Sequence, residues 1–210
     1  GSLSVSDLHA AGDDVILSVV YQTGGFGSPR TLRAQKYDPS GAPLWGAQPV
    51  TVFDSGSLQF GNFPAFVPDG AGGAVFSWYT NSPLQCWAQR LLADGSEAYP
   101  HNGVAVSTDA SQIRVNPVAT HDPDSDTTVV SWVEQNGLQS QFGLGSQKLD
   151  AAGNRLWGPT GVTHIGLGPT PLGNVRNLAS GEGTLLFCTA KGIVKRTPLS
   201  DYRRPKAGGI

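Results

Sequence analysis

The chain has 210 residues, 39% of them hydrophobic, with 28 Gly, 15 Pro and only 14% charged residues, which is turn-rich but too apolar for a disordered chain. A net charge of −2 excludes a general nucleic-acid binder, which needs a strongly basic face, and no apolar run reaches the ~18 residues of a transmembrane helix. What remains is one all-β domain of short strands and tight turns, large enough to hold a core without disulfides.

Four units are expected along the chain, over residues 3–58, 59–113, 114–170 and 171–210, the last of them incomplete. The first opens with the apolar run Val15-Ile16-Leu17-Ser18 (strand B). A long loop over 22–30 contains Phe26 and Arg30, and strand C follows at Ala34-Gln35-Lys36-Tyr37-Asp38. The turn Pro39-Ser40-Gly41, then Trp45, then Val50 lead into strand D. The second unit displays all four strands, A over 63–67, B over 74–79 ending at Tyr79, C over 86–91 and D over 104–107. Its turns, Asp69-Gly70-Ala71-Gly72-Gly73 and Asp94-Gly95, carry the Gly that supplies the positive φ of hairpins. The third unit has Arg114 near its start, a turn Asp122-Pro123-Asp124-Ser125-Asp126 and strand B around Val129-Val130-Ser131-Trp132. Its loop over 133–141 holds Glu134 and Gln139, and strand C is Ser146-Gln147-Lys148-Leu149-Asp150. The fourth keeps a strand B at Leu185-Leu186-Phe187-Cys188 but has Lys195 where the Gln belongs and no aromatic ten residues on.

The units share one register. Gln35, Gln89 and Gln147 lie 54 and 58 residues apart, each ten residues before an aromatic (Trp45, Tyr99, Trp157) and fifteen before a Val (Val50, Val104, Val162). Strand B does not alternate in polarity, so both its faces should be buried. Four antiparallel strands per 54–58 residues, with a buried central strand, predict a β-propeller of about four blades. The alternative is a β-sandwich, whose strands would alternate with one wet face. The sequence stops where the last strand D should begin, leaving an edge to be covered by the N-terminal strand, by parent chain or by a second chain.

The segments Ala88-Gln89-Arg90-Leu91, Leu149-Asp150-Ala151-Ala152-Gly153-Asn154-Arg155-Leu156-Trp157-Gly158 and Gly161-Val162 resemble the "AQRLDxxGxxLWGxxGVxV" repeat of large secreted and cell-surface bacterial proteins. Gly72-Gly73-Ala74-Val75-Phe76-Ser77-Trp78 is similar to its preceding strand. The resemblance covers nearly the whole chain. It implies a propeller-like fold and export, and it carries no ligand or catalytic residue with it. The absence of Met fits a processed form or an excised piece of a longer protein, so the expected location is extracellular, cell-surface or periplasmic.

No cofactor is expected. Asp122, Asp124 and Asp126 have the alternating carboxylates of a calcium loop, but Thr127 and Val133 stand where such a loop needs Gly and Glu. A solvated hairpin turn is the simpler reading. Cys86 and Cys188 match no metal spacing and are expected to be unbridged, and the four histidines are scattered. The repeated Gln residues read as buried hydrogen-bonders. The basic tail, +5 over residues 190–210 against −7 for the rest, reads as a solvated segment.

The leading functional expectation is a non-catalytic module that binds protein or glycan or joins a larger assembly. The alternative is a glycan-cleaving hydrolase or lyase, which needs two carboxylates across a pocket. Chain direction puts the B–C loops and D–A connectors at one end of the blades, and these are long and differ between units, unlike the tight repetitive turns at the other end. Binding residues concentrate on such loops. The expected binding face therefore carries Phe26, Arg30, Tyr79, Arg114, Glu134 and Gln139.

Overall fold

A computed structural model describes residues 1–172 and, beyond these, the backbone of three strands. The first sheet runs β1 (Ser2–Ala11), β2 (Asp14–Gln22), β3 (Arg30–Tyr37), β4 (Val50–Phe53). The second runs β5 (Phe66–Pro68), β6 (Ala74–Tyr79), β7 (Cys86–Leu91), β8 (Val104–Ala105). The third runs β9 (Ile113–Asp122), β10 (Thr127–Gln135), β11 (Phe142–Leu149), β12 (Val162–Gly168). A three-stranded sheet follows, β13 (Leu178–Ser180), β14 (Thr184–Cys188), β15 (Val194–Pro198). Every sheet is an antiparallel meander with its strands in chain order. The first strands sit side by side in succession, β1 by β5, β5 by β9 and β9 by β13, so the sheets stack face to face about an inner line of A strands. This is a β-propeller-type arrangement, and each sheet is called a blade below.

Strands B and C of the second blade fall where the sequence places them, whereas β5 begins at Phe66 and leaves Phe63 on the preceding connector. The core lies between blades. One cluster joins Ile16, Val20, Leu32 and Ala34 to Ala74, Phe76 and Trp78; a second joins Val75, Cys86, Ala88 and Val106 to Ala119, Val130, Trp132 and Leu149. Thus β6 is buried on both faces, as its unbroken apolar run requires. In β2 the expectation of two buried faces fails. Ile16, Ser18 and Val20 are buried, but Val15 is exposed and Leu17, Val19 and Tyr21 only half-buried, on a side where, among the described residues, no sheet packs.

The repeated Gln is the clamp of each of the first three blades. Gln35 Oε1 accepts from the Lys36 and Trp45 N–H groups while Nε2 donates to Gly46 O. Gln89 does the same with Arg90, Tyr99 and Pro100, and Gln147 with Lys148, Trp157 and Gly158. The chain is thereby pinned where it leaves the C–D hairpin, and the following aromatic is aimed at the next blade. Trp45 Nε1 donates to Ala93 O at 3.0 Å, and Tyr99 Oη donates to Thr128 Oγ1 at 2.9 Å. Cys86 is a buried free thiol, its pKa pushed well up by burial. The side chain of Cys188 and the tail over 203–210 lie outside the described residues.

Candidate functional site at the loop end

Strand direction puts both site features at the end where the A strands begin. The first is a pocket between the first two blades, lined by Ser2, Ser4, Val20, Gln22, Arg30, Phe60, Gly61 and Phe63, with a volume of about 250 Å³. Arg30 is its buried floor. Its guanidinium donates to the carbonyls of Gln59 and Asn62 and lies 5.7 and 5.2 Å from the Phe60 and Phe63 ring centroids. Burial lowers its pKa. The rings stay half or more exposed, and Phe26, 89% exposed, meets Phe60 edge-on at 5.1 Å. The result is an apolar wall held by a fixed cation with amide and hydroxyl groups on its rim.

The second feature is built on Arg114 at the start of β9. Its Nη2 reaches Glu134 Oε1 at 2.7 Å and Asp109 Oδ2 at 3.5 Å, while Nη1 donates to Gln85 Oε1 at 3.0 Å and to the Asp109 carbonyl. The guanidinium also faces the Trp132 ring. One guanidinium nitrogen thus holds two carboxylate oxygens, at most about 6 Å apart. Asp109 is held below the usual carboxylate range by Ser111, whose side chain and N–H both bond to it, with Arg114 contributing less. Glu134 is partly open, its side chain 15% exposed.

The six expected binding residues fall into separate groups. Phe26 and Arg30 join one feature and Arg114 and Glu134 the other, but both arginines are buried anchors and not exposed contacts. Tyr79 is half-buried and holds the first connector through its carbonyl, which accepts from Gln59 N and Asn62 Nδ2. Gln139 sits at a loop tip with φ +53°, apart from both features. The pocket walls Phe60 and Phe63, and Asp109, escape a reading of the loops because they lie on connectors without repeat. Two Phe flanking Gly61-Asn62, and the Asp109-Ala110-Ser111 turn signature, are the signals that were there to find.

Asp122, Asp124 and Asp126 are not brought together. Asp122 accepts from Asp124 N and Ser125 Oγ, whereas Asp126 pairs with Arg90 on the neighbouring blade. No group of three or more His, Cys, Asp or Glu poised around a metal occurs among the described residues. Among those residues, too, no helix is long and apolar enough to cross a membrane.

No protein-family profile and no curated protein matches the sequence. Solved structures are similar in backbone only. A chain from a study of two prolyl endopeptidases shares 13% identity over 94% of this chain, with a TM-score of 0.49, and this chain spans 26% of its length. An endo-arabinase from Bacteroides thetaiotaomicron shares 16% identity over 97% of this chain and 76% of its own, with a TM-score of 0.43. An α-L-arabinanase from Cellvibrio cellulosa shares 14% identity over 97% and 74%, with a TM-score of 0.42. The leading functional expectation, a non-catalytic module, is corrected to this extent: the similar structures bear the names of enzymes, arabinanases and an α-L-arabinofuranosidase, which stand on the side of the alternative.

Proposed function

We propose that residues 1–210 form one domain, four blades of the propeller scaffold of an exported glycan-cleaving hydrolase that works at the loop end. The observation that carries this reading is that one end of the blades holds both a ring-walled pocket and two carboxylates on one guanidinium. Apolar faces of sugar rings stack on exposed aromatic rings such as Phe60 and Phe63, and Gln22 and Ser4 can exchange hydrogen bonds with hydroxyls. Hydrolysis of a glycosidic bond needs one carboxyl to protonate the leaving oxygen and one carboxylate to attack or to activate water. Asp109, held ionised, suits the second task, and Glu134, on the same Arg114 nitrogen, supplies the other carboxyl group of the pair. Arg114 fixes both without contacting the sugar and is a positioning residue.

The test is reducing-end release by the whole chain from a panel of polysaccharides that includes arabinan. Glu134→Gln and Asp109→Asn are each expected to lower release by about 100-fold or more. Replacing Phe60 and Phe63 together by Ala should raise the half-saturating polysaccharide concentration and leave the maximal rate nearly unchanged. No release from any polysaccharide refutes the reading, as does full activity in both carboxylate variants.

A further inference from the structure

The C–D hairpins of the second and third blades each seat the aromatic of the blade before. A Cβ added to Gly95 would stand 2.6 Å from Trp45, and one added to Gly153 would stand 2.9 Å from Tyr99. Gly41 is the equivalent residue of the first blade, three after the hairpin Asp as Gly153 is after Asp150, with the same φ of +84° as Gly95. Among the described residues nothing lies within 4 Å of its added Cβ. The sheet face beside this vacant seat is apolar and open, with Leu3 and Val5 67%, Leu8 56% and Val15 37% exposed. Across the β1–β2 ladder Leu3, Val5, Leu8 and Val15 lie opposite Tyr21, Val19, Leu17 and Ala10, so they form one surface. The equivalents of Val15, Leu17 and Val19 in the second blade are Ala74, Phe76 and Trp78, all fully buried against the first blade.

We propose that this face of the first blade receives a further blade of the same repeat, one that brings a Trp or Tyr ten residues after its strand-C Gln and seats it on Gly41. The face continues the interface already formed twice within the chain. The fourth unit of this chain does not fit as the occupant, because its sequence has Lys195 in place of the Gln and Pro205 ten residues on. A second copy of this chain has its three repeat aromatics at Trp45, Tyr99 and Trp157, and the first two are already seated.

The test appends a second copy of residues 59–112, which contains Tyr99, ahead of β1 in the full chain, and reads amide exchange in β1 and the melting temperature. Exchange over 3–8 is expected to slow by about tenfold or more, and the melting temperature to rise. Replacing Tyr by Ala in the added copy alone should remove most of the gain. A second fusion, with a copy of 113–170 bearing Trp157, guards against one misfolded graft. Unchanged exchange in both fusions overturns the proposal, as does a gain that ignores the ring. Sedimentation of the unmodified chain as a dimer with protected β1 also overturns it, in favour of self-association.

Discussion

Gly41 and Gly95 allow the blade-to-blade contact to be measured apart from backbone strain. Both occupy the left-handed region at φ +84°, so replacing either by Ala carries the same conformational cost of roughly 1–2 kcal/mol. At Gly41 that is the whole cost, since the new methyl meets nothing among the described residues. At Gly95 the methyl lands 2.6 Å from Cγ and 2.8 Å from Cδ1 of Trp45. The indole cannot retreat, because its N–H is bonded to Ala93 O and its backbone N–H to Gln35 Oε1. Overpacking of this kind costs about 1–3 kcal/mol more, or roughly 2–12 °C in melting temperature for a chain of this size. Urea unfolding of both variants at equal m-value provides the comparison. Equal midpoints would refute the seating of Trp45 on the second blade.

Three further outcomes follow from the same structure. Gln89→Leu leaves the Arg90 and Tyr99 N–H groups without their acceptor and should cost about 2–5 kcal/mol in denaturant unfolding. Arg114→Ala breaks a buried pair and leaves Glu134 uncompensated, so a loss of about 3–5 kcal/mol is expected from calorimetry or urea titration. His121 is held low in pKa by burial and then by Arg90, against the opposing pull of Asp69, Asp126 and Asp122. The unfolded chain therefore takes up the His121 proton first, and stability must fall as pH drops below about 6.5 towards the folded value. His121→Gln should flatten the melting-temperature slope between pH 7 and 5, and an unchanged slope would show that another group sets it.

The sequence makes the repeat legible because repetition is self-checking: Gln35, Gln89 and Gln147 must each satisfy the same hairpin exit, so the same residue recurs at the same spacing. Strand B of the second blade could be placed to the residue because an unbroken apolar run has one solution in a stack of sheets. The first blade misled for a physical reason, since a local run such as Val15-Ile16-Leu17 cannot reveal whether a neighbouring sheet covers its second face. The candidate site is half legible in the sequence. Phe26, Arg30, Arg114 and Glu134 follow from chain direction, which assigns loops to ends, but long side chains reach across blades in ways that spacing does not encode. Arg30 turns inward to the carbonyls of a connector nearly thirty residues away, and Arg114 ties Asp109 to Glu134.

That the loop end is the working surface, as proposed, is tested most directly by amide exchange with and without a glycan fragment released from the cleaved polysaccharide. Slowed exchange is expected over 60–63 and 109–114 and at Glu134, with no change at the opposite turns over 38–41, 94–96 and 150–154. Protection confined to those turns, or none at either end at saturating fragment, would contradict it.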